Sequence, residues 1–284
     1  MDSWYPHRGH RVYVREEGAA GPDLLCLHGF PTSGRDWRAI MPALRTRFRV
    51  LAPDMLGFGR SAKPRHYPYS ILDQADLHEN LLRAKGIRRA HLLAHDYGDS
   101  VAQELLVRAR ARAAAGDHSL RLASVCLLNG GLFPEAHHPL IQQRLLAGPL
   151  GPALSALTTE TLFTRALSSV FIDPPEPAEL RRDWLLWCAR HGHRNTHRLL
   201  GYLAERRRYR ARWVGVLENS AVPLRFVCGL ADPVSGSDMA DRYRLLVSDP
   251  DLVAFPDVGH YPQLEAPGRT LAAFLDFHDT RVDP

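Results

Sequence analysis

The stretch Ala90-His91-Leu92-Leu93-Ala94-His95-Asp96-Tyr97-Gly98 decides the fold of this chain. Its first five residues are mostly apolar and short, like a buried strand. The dozen residues that follow place Val101, Leu105 and Leu106 at helical spacing. Between strand and helix stands Asp96, with small residues two positions before and two after it. A tight strand-to-helix turn requires small flanking residues and lifts its central side chain above the sheet edge. Small-x-Asp-x-small at this junction predicts a nucleophile elbow that presents Asp96. A plain turn with a capping aspartate has the same local pattern, so the neighbouring segments decide between the two.

Working outward, short apolar runs alternate with helical patterns, the signature of a parallel sheet with crossover helices. Predicted strands run from Asp23 to His28, Phe48 to Ala52, Ala90 to Ala94, Leu122 to Leu128, Leu224 to Cys228 and Asp251 to Phe255. Several end in chemically suggestive turns. His28-Gly29-Phe30-Pro31 follows the first, where an oxyanion hole would borrow a backbone N–H. Asp232-Pro233 follows the fifth and Gly259-His260-Tyr261-Pro262 the last. The order nucleophile, acid, histidine is that of an α/β-hydrolase sheet. Between Leu132 and about Val216 no strand is expected. Helical patterns with Phe163, Phe171, Trp184, Trp187 and Tyr202 indicate a packed insertion rather than a linker.

An aspartate at the elbow suits displacement at a saturated carbon. With a carboxyl pKa near ~4 it is already ionised and attacks without a base. The alkyl ester so formed must then be hydrolysed by water, which needs a general base. His260 is the candidate base, and Asp232 the acid that orients it and stabilises its imidazolium. The backbone N–H groups of Phe30 and Tyr97 are the candidate oxyanion donors. Asp232 before Pro233 could alternatively be only a turn residue. Asn129 occupies the other place for an acid, but an amide cannot neutralise an imidazolium. Asp99 lacks the elbow's flanking pattern and reads as a first-turn residue favoured by the helix dipole. Asp54 reads as structural, ordering the loop through Gly57 and Gly59, and His95 as a hydrogen-bonding residue.

The bulk composition fits such an enzyme. The 284 residues are 45% hydrophobic and 24% charged, a globular balance without a disorder signature. No apolar run approaches the roughly 18 residues of a membrane span, and the first residues lack the regions of a signal peptide, so a soluble, cytoplasmic chain is expected. Cys26, Cys126 and Cys228 lie in strand-like runs and Cys188 in a helical one. Their spacing suggests buried free thiols, not a zinc or redox site. The net charge of +5 is densest at Arg206-Arg207-Arg208-Tyr209-Arg210-Ala211-Arg212, read here as a solvated helix face rather than a nucleic-acid surface. The 15 histidines are scattered without metal-ligand spacing, and no cofactor is called for.

His28-Gly-Phe-Pro31 with Trp37, Asp54-Met-Leu-Gly-Phe-Gly-Arg-Ser61, His95-Asp-Tyr-Gly98 and Gly259-His-Tyr-Pro-Gln-Leu-Glu-Ala-Pro267 resemble the epoxide hydrolase and haloalkane dehalogenase branch of the α/β-hydrolases. His95 to Leu106, Leu128 to Glu135, Arg212 to Gly215 and His260 to Glu265 resemble more specifically the mesoderm-specific transcript proteins of animals. The resemblance implies an α/β-hydrolase core over 1–131 and 217–284, with a mostly parallel central sheet flanked by helices, and a helical cap over 132–216. It also implies a small hydrophobic substrate and water as the partners. Tyr97 and Phe30 stand where haloalkane dehalogenases carry tryptophan and asparagine, which favours epoxide hydrolysis to a diol over dehalogenation. Epoxide hydrolases take two tyrosines from their cap as leaving-group acids. Tyr202 falls about where the second would be, and no tyrosine occurs from Leu140 to Ala189 to serve as the first. A non-catalytic binding protein on the same scaffold is the remaining alternative.

Overall fold

The computed structural model describes residues 2–282. Eight strands form one sheet: β1 (Asp2–His7), β2 (His10–Glu17), β3 (Asp23–Leu27), β4 (Arg49–Pro53), β5 (Arg89–His95), β6 (Arg121–Leu128), β7 (Leu224–Gly229) and β8 (Leu252–Phe255). Their spatial order is β1-β2-β4-β3-β5-β6-β7-β8. Strands β3 to β8 pair in parallel, whereas β1 pairs with β2 and β2 with β4 antiparallel. The chain thus has the α/β-hydrolase architecture expected of its alternating pattern, with the six predicted strands displaced by a residue or so at their ends.

Parallel strands buried on both faces tolerate few polar side chains, and β3 and β5 to β7 are accordingly almost wholly buried. One face of the sheet carries α2 (Ile71–Ala84) and α3 (Tyr97–Ala114), packed through Leu77, Leu81, Val101 and Leu105. The other carries α1 (Met41–Arg47) and α13 (Pro267–Arg281), packed through Leu44, Phe274 and Phe277. Helix α2 starts where Ser70 Oγ accepts the Asp73 N–H at 3.0 Å, an N-cap that satisfies an otherwise orphaned amide. Cys26, Cys126 and Cys228 are buried and Cys188 is half-buried, all as free thiols.

Between β6 and β7 the chain forms α4 (Ile141–Leu146), α5 (Gly151–Ala156), α6 (Glu160–Ser168), α7 (Pro177–Cys188), α8 (Thr196–Leu199), α9 (Tyr202–Arg208) and α10 (Arg210–Glu218). Two polar clamps tie these helices to α3 and to the turn after β3. Buried Glu104 of α3 accepts from Arg212 Nε and Trp213 Nε1, at 2.8 and 2.9 Å. Arg35, in the turn after β3, binds Glu179 at 2.6 Å and Asp183 at 3.3 Å on α7. Helices α11 (Ser237–Leu246) and α12 (Pro262–Glu265) complete the fold. Among the described residues, no helix is long and apolar enough to cross a membrane.

Candidate active site

Strand order reverses around β3, which lies between β4 and β5. Outside the carboxyl ends of strands at such a switch point, an open α/β sheet forms its binding crevice. The turn after β3 carries Phe30, and Asp96 is the single residue between β5 and α3. Asp96 has φ 47° and ψ −103°, a conformation that costs an L-residue about 1–3 kcal/mol and persists only where its surroundings impose it. They do so closely. The Asp96 N–H donates to Leu128 O at 3.2 Å, and Asp96 O accepts from Asp99 N at 3.2 Å and Arg206 Nη2 at 3.0 Å. A Cβ on Gly98 would lie 2.3 Å from Leu27 O, and one on Gly29 would lie 2.6 Å from His95 Nδ1. The small residues let helix and strand approach to the distance that a sharp turn needs.

Four groups converge on or behind the Asp96 carboxylate. The Phe30 N–H donates to Oδ2 at 3.1 Å, and Arg206 Nη2 donates to Oδ1 at 3.4 Å. His260 Nε2 stands 4.0 Å from Oδ2, while its Nδ1 lies 2.7 Å from Asp232 Oδ2. Asp232 is itself fixed: Oδ2 accepts from Asn129 Nδ2 at 2.9 Å and Oδ1 from Val234 N at 2.7 Å. The predicted residues Asp96, His260 and Asp232 are therefore brought together, and Asn129 supports the acid rather than replacing it. Tyr97 heads α3 directly after Asp96, yet no hydrogen bond joins its amide to the Asp96 carboxylate among the described residues.

Burial opposes ionisation of Asp96, but His260 first and Arg206 next more than offset it and hold the carboxyl well below its ordinary range. Burial also disfavours the His260 imidazolium. The Asp232 and Asp96 carboxylates overcome this and push His260 up to about 10. The resting site is then an interlocked set of two carboxylates and two cations. His95, held near 3 by burial, is neutral. Its Nε2 lies 2.8 Å from His260 O and helps to seat the His260 backbone. Asp54 is structural: it accepts from Gly34 N at 2.8 Å and Arg60 N at 2.7 Å, bracing the loop that carries Gly57 and Gly59.

Two sequence expectations are corrected here. The arginine-rich run is not a solvated face throughout, because Arg206 is only 2% exposed and reaches inward to Asp96. Its Nε donates to Ser100 Oγ at 2.7 Å, and its Nη1 stands 3.2 Å from His137 Nε2, an imidazole kept neutral chiefly by burial. Tyr202 and Arg206 are four residues apart on α9, and the guanidinium lies over the Tyr202 ring at 4.5 Å. That spacing was the only signal, and the flanking exposed Arg207 and Arg208 mask it. Asp99 is also not a charge stabilised by the helix dipole. It is fully buried without a hydrogen-bond partner, and burial, aided by the charge of Asp96, pushes its pKa far above the ordinary value. Asp99 sits behind Asp96 against Gly130 as a neutral acid.

A cavity of about 470 Å³ opens above these groups, with Asp96, His260, Phe30, Trp187 and Tyr261 in its wall and leucines of α4 to α6 around it. Tyr202 is 1% exposed and packs edge-on against Tyr97, ring centroids 5.1 Å apart. Its hydroxyl has no hydrogen-bond partner, and it lies behind Phe30 rather than among the residues lining the cavity. Among the described residues, no cluster of His, Cys, Asp and Glu could hold a metal ion.

A doubly wound sheet with an elbow residue at its switch point and a facing Asp–His pair defines a hydrolase class. The profile of the alpha/beta hydrolase family matches residues 24–274, and the chain belongs to that family. It is 40% identical to the mesoderm-specific transcript protein of Mus musculus, over 96% of this chain and 84% of that one. It is 38% identical to the putative hydrolase LipZ of Mycobacterium tuberculosis, over 93% and 91%. Among solved structures, the epoxide hydrolase CorEH superposes with a TM-score of 0.81 at 20% identity, over 98% of each chain, a likeness of fold alone.

Proposed function

We propose that this hydrolase opens a small apolar epoxide through an alkyl ester on Asp96, with the α4–α10 insertion serving as a cap over the substrate. The supporting observation is the ionised Asp96 carboxylate at the cavity floor, 4.0 Å from an imidazole that Asp232 binds from behind. An Asp96 oxygen attacks a ring carbon, the C–O bond breaks, and the alkoxide takes a proton from Tyr202. Tyr202 holds an unpartnered hydroxyl behind Phe30, outside the cavity wall, and serves this role once a shift of the Phe30 ring opens it to the substrate. With Asp96 esterified, the His260 imidazolium passes its proton to the Tyr202 phenolate, and in the second step the neutral imidazole removes a proton from water. The hydroxide adds to Asp96 Cγ, and the oxyanion is held by the Phe30 N–H, with Tyr97 as second donor. Collapse breaks the ester bond, the departing oxygen takes the proton of the new Asp96 carboxyl, and the diol leaves with Asp96 ionised and His260 protonated again. Arg206 is a positioning residue that fixes the elbow carbonyl and keeps Asp96 charged.

Dehalogenation would proceed through the same ester. The presence of an indole, Trp187, in the cavity wall favours it as the second reading, but one indole is half of a halide's usual donor pair. The two are separated by mass spectrometry of His260→Gln incubated with styrene oxide or with 1-bromobutane. The epoxide should leave an adduct on the peptide containing Asp96, absent in Asp96→Ala. An adduct from the haloalkane alone, or none from either, would overturn the proposal.

A further inference from the structure

Large exposed apolar side chains concentrate on α4 to α6. Ile141, Leu145, Leu150, Leu157 and Leu162 are between 58% and 73% exposed. They are not scattered. Ile141 and Leu145 are one helical turn apart on α4, and Leu150, Leu154 and Leu157 fall at i, i+4, i+7 along α5 and its caps, which places each set on one face. Leu145, Leu154 and Leu162 also line the cavity above Asp96. Leu145 and Leu162, exposed and also in the cavity wall, join the outer apolar stripe to the cavity on the α4–α6 side. A water-soluble substrate would not require such a rim, and exposed patches of this kind mark interaction sites.

Charge decides what the rim meets. From Ala136 to Thr159 the sequence contains no Asp or Glu, although the whole chain has 31. On the far side of α4 a second hollow, about 550 Å³, is lined by Arg144, His197 and Arg207 with no carboxylate. Arg144 and Arg207 are exposed and form no ion pair among the described residues. Helix α4 thus separates an apolar mouth from a cationic groove. Protein interfaces are anchored chiefly by Trp, Tyr and Arg at the patch centre. Here no Phe, Trp or Tyr occurs between Phe133 and Phe163, and the apolar residues are aliphatic. Aliphatic side chains flanked by unpaired arginines match the boundary between acyl chains and anionic headgroups.

We propose that α4 and α5 dock on an anionic lipid bilayer. The Ile and Leu side chains enter the acyl boundary, Arg144 and Arg207 meet headgroup phosphates, and the cavity mouth opens onto the membrane so that apolar substrate passes from lipid to Asp96 without crossing water. The chain lies on the bilayer and does not span it.

The test is sedimentation of the full chain with vesicles of phosphatidylcholine alone or mixed with phosphatidylglycerol. Binding is measured without turnover, so failure of the epoxide chemistry would leave its outcome unaffected. The wild-type chain should partition at least about tenfold more strongly onto the anionic vesicles, with the preference lost at high salt. The triple variant Ile141→Glu/Leu150→Glu/Leu157→Glu, none of whose positions lines the cavity, should lose partitioning to both vesicles by at least about tenfold. Arg144→Glu/Arg207→Glu should lose the anionic preference. Both variants should keep the wild-type melting temperature, because all five side chains are exposed. Wild-type chain that stays in solution, or variants that partition like it, would overturn the proposal. So would a wild-type dimer that the triple variant converts to monomer, since the rim would then be a surface for a second copy of the chain.

Discussion

Replacing Arg206 by Met tests whether the electrostatics of the site hold the fold as well as the chemistry. Met preserves most of the aliphatic stem and removes the guanidinium, including its contact over the Tyr202 ring. Lost with it are contacts to Asp96 O at 3.0 Å, Asp96 Oδ1 at 3.4 Å, Ser100 Oγ at 2.7 Å and His137 Nε2 at 3.2 Å. Arg206 and Asp96 are only 2% and 3% exposed, so solvent cannot replace the missing cation. Deleting one partner of a buried pair costs about 3–5 kcal/mol, because the other charge is left uncompensated. His260 still faces Asp96, which places the expected loss near ~3 kcal/mol. At roughly 2–4 °C per kcal/mol for a chain of this size, the melting temperature should fall by about 10 °C. Urea unfolding followed by circular dichroism gives the free energy directly. Arg207→Met, next in sequence but exposed, is the control and should stay within about 0.5 kcal/mol of wild type. Equal losses in the two variants, or a negligible loss in Arg206→Met, would refute the assignment of Arg206 as a buried support of the elbow.

Three further outcomes follow from the geometry. The raised His260 pKa stabilises the fold fully below the unfolded value of about 6.5, and that contribution disappears as pH rises through about 10. Unfolding free energy should therefore fall between these limits by at most about 1.4 kcal/mol per pH unit, and the slope should flatten in His260→Gln. Tyr202→Phe removes an unpartnered buried hydroxyl, so it should raise stability by about 1 kcal/mol while lowering epoxide turnover about 100-fold. Unchanged turnover would remove Tyr202 from the mechanism. Gly98→Ala forces a Cβ against Leu27 O and should cost about 1–3 kcal/mol. Gly215→Ala, in α10 with nothing within 4 Å of the added carbon, should be neutral or stabilising by about 0.5–1 kcal/mol. Chemical denaturation of the pair reads the contrast.

What the sequence made legible was what local physics dictates. A strand buried on both faces must be a short apolar run, so β3 to β8 could be traced within a residue or so. An elbow must have small neighbours, so Ala94 and Gly98 singled out Asp96. The antiparallel hairpin of β1 and β2 was not legible. Strand β1 lies at the sheet edge with every residue but His7 at least partly exposed, and carries no apolar run to betray it. Its turn is Arg8-Gly9, both at positive φ, where Asn-Gly or Asp-Gly would have been the recognisable signal. Arg206 escaped notice for a different reason. Its burial comes from the folding of α9 back over the elbow, a contact across 110 residues of sequence, and composition alone cannot distinguish it from the exposed arginines beside it. The neutrality of Asp99 was equally invisible, since it follows from burial beside the Asp96 charge in a packed interior.

These late-found residues explain why an aspartate can work at this position. Asp96 is ionised and His260 protonated, the Arg206 guanidinium lies against Asp96, and burial next to the Asp96 charge keeps Asp99 neutral. In the proposed reaction, alkylation of Asp96 removes one of the two charges that hold the proton on His260. Arg206 stays, so the site gains an excess positive charge in a place with little solvent to screen it. The proton then passes from the imidazole to the Tyr202 phenolate, at the stage when a base is required to activate water. Hydrolysis of the ester restores the carboxylate and, with it, the protonated histidine. The switch from acid to base needs no movement of the fold, only the presence or absence of one bond on Asp96. It depends on Arg206 keeping its charge throughout, which a guanidinium does and a lysine so deeply buried would not.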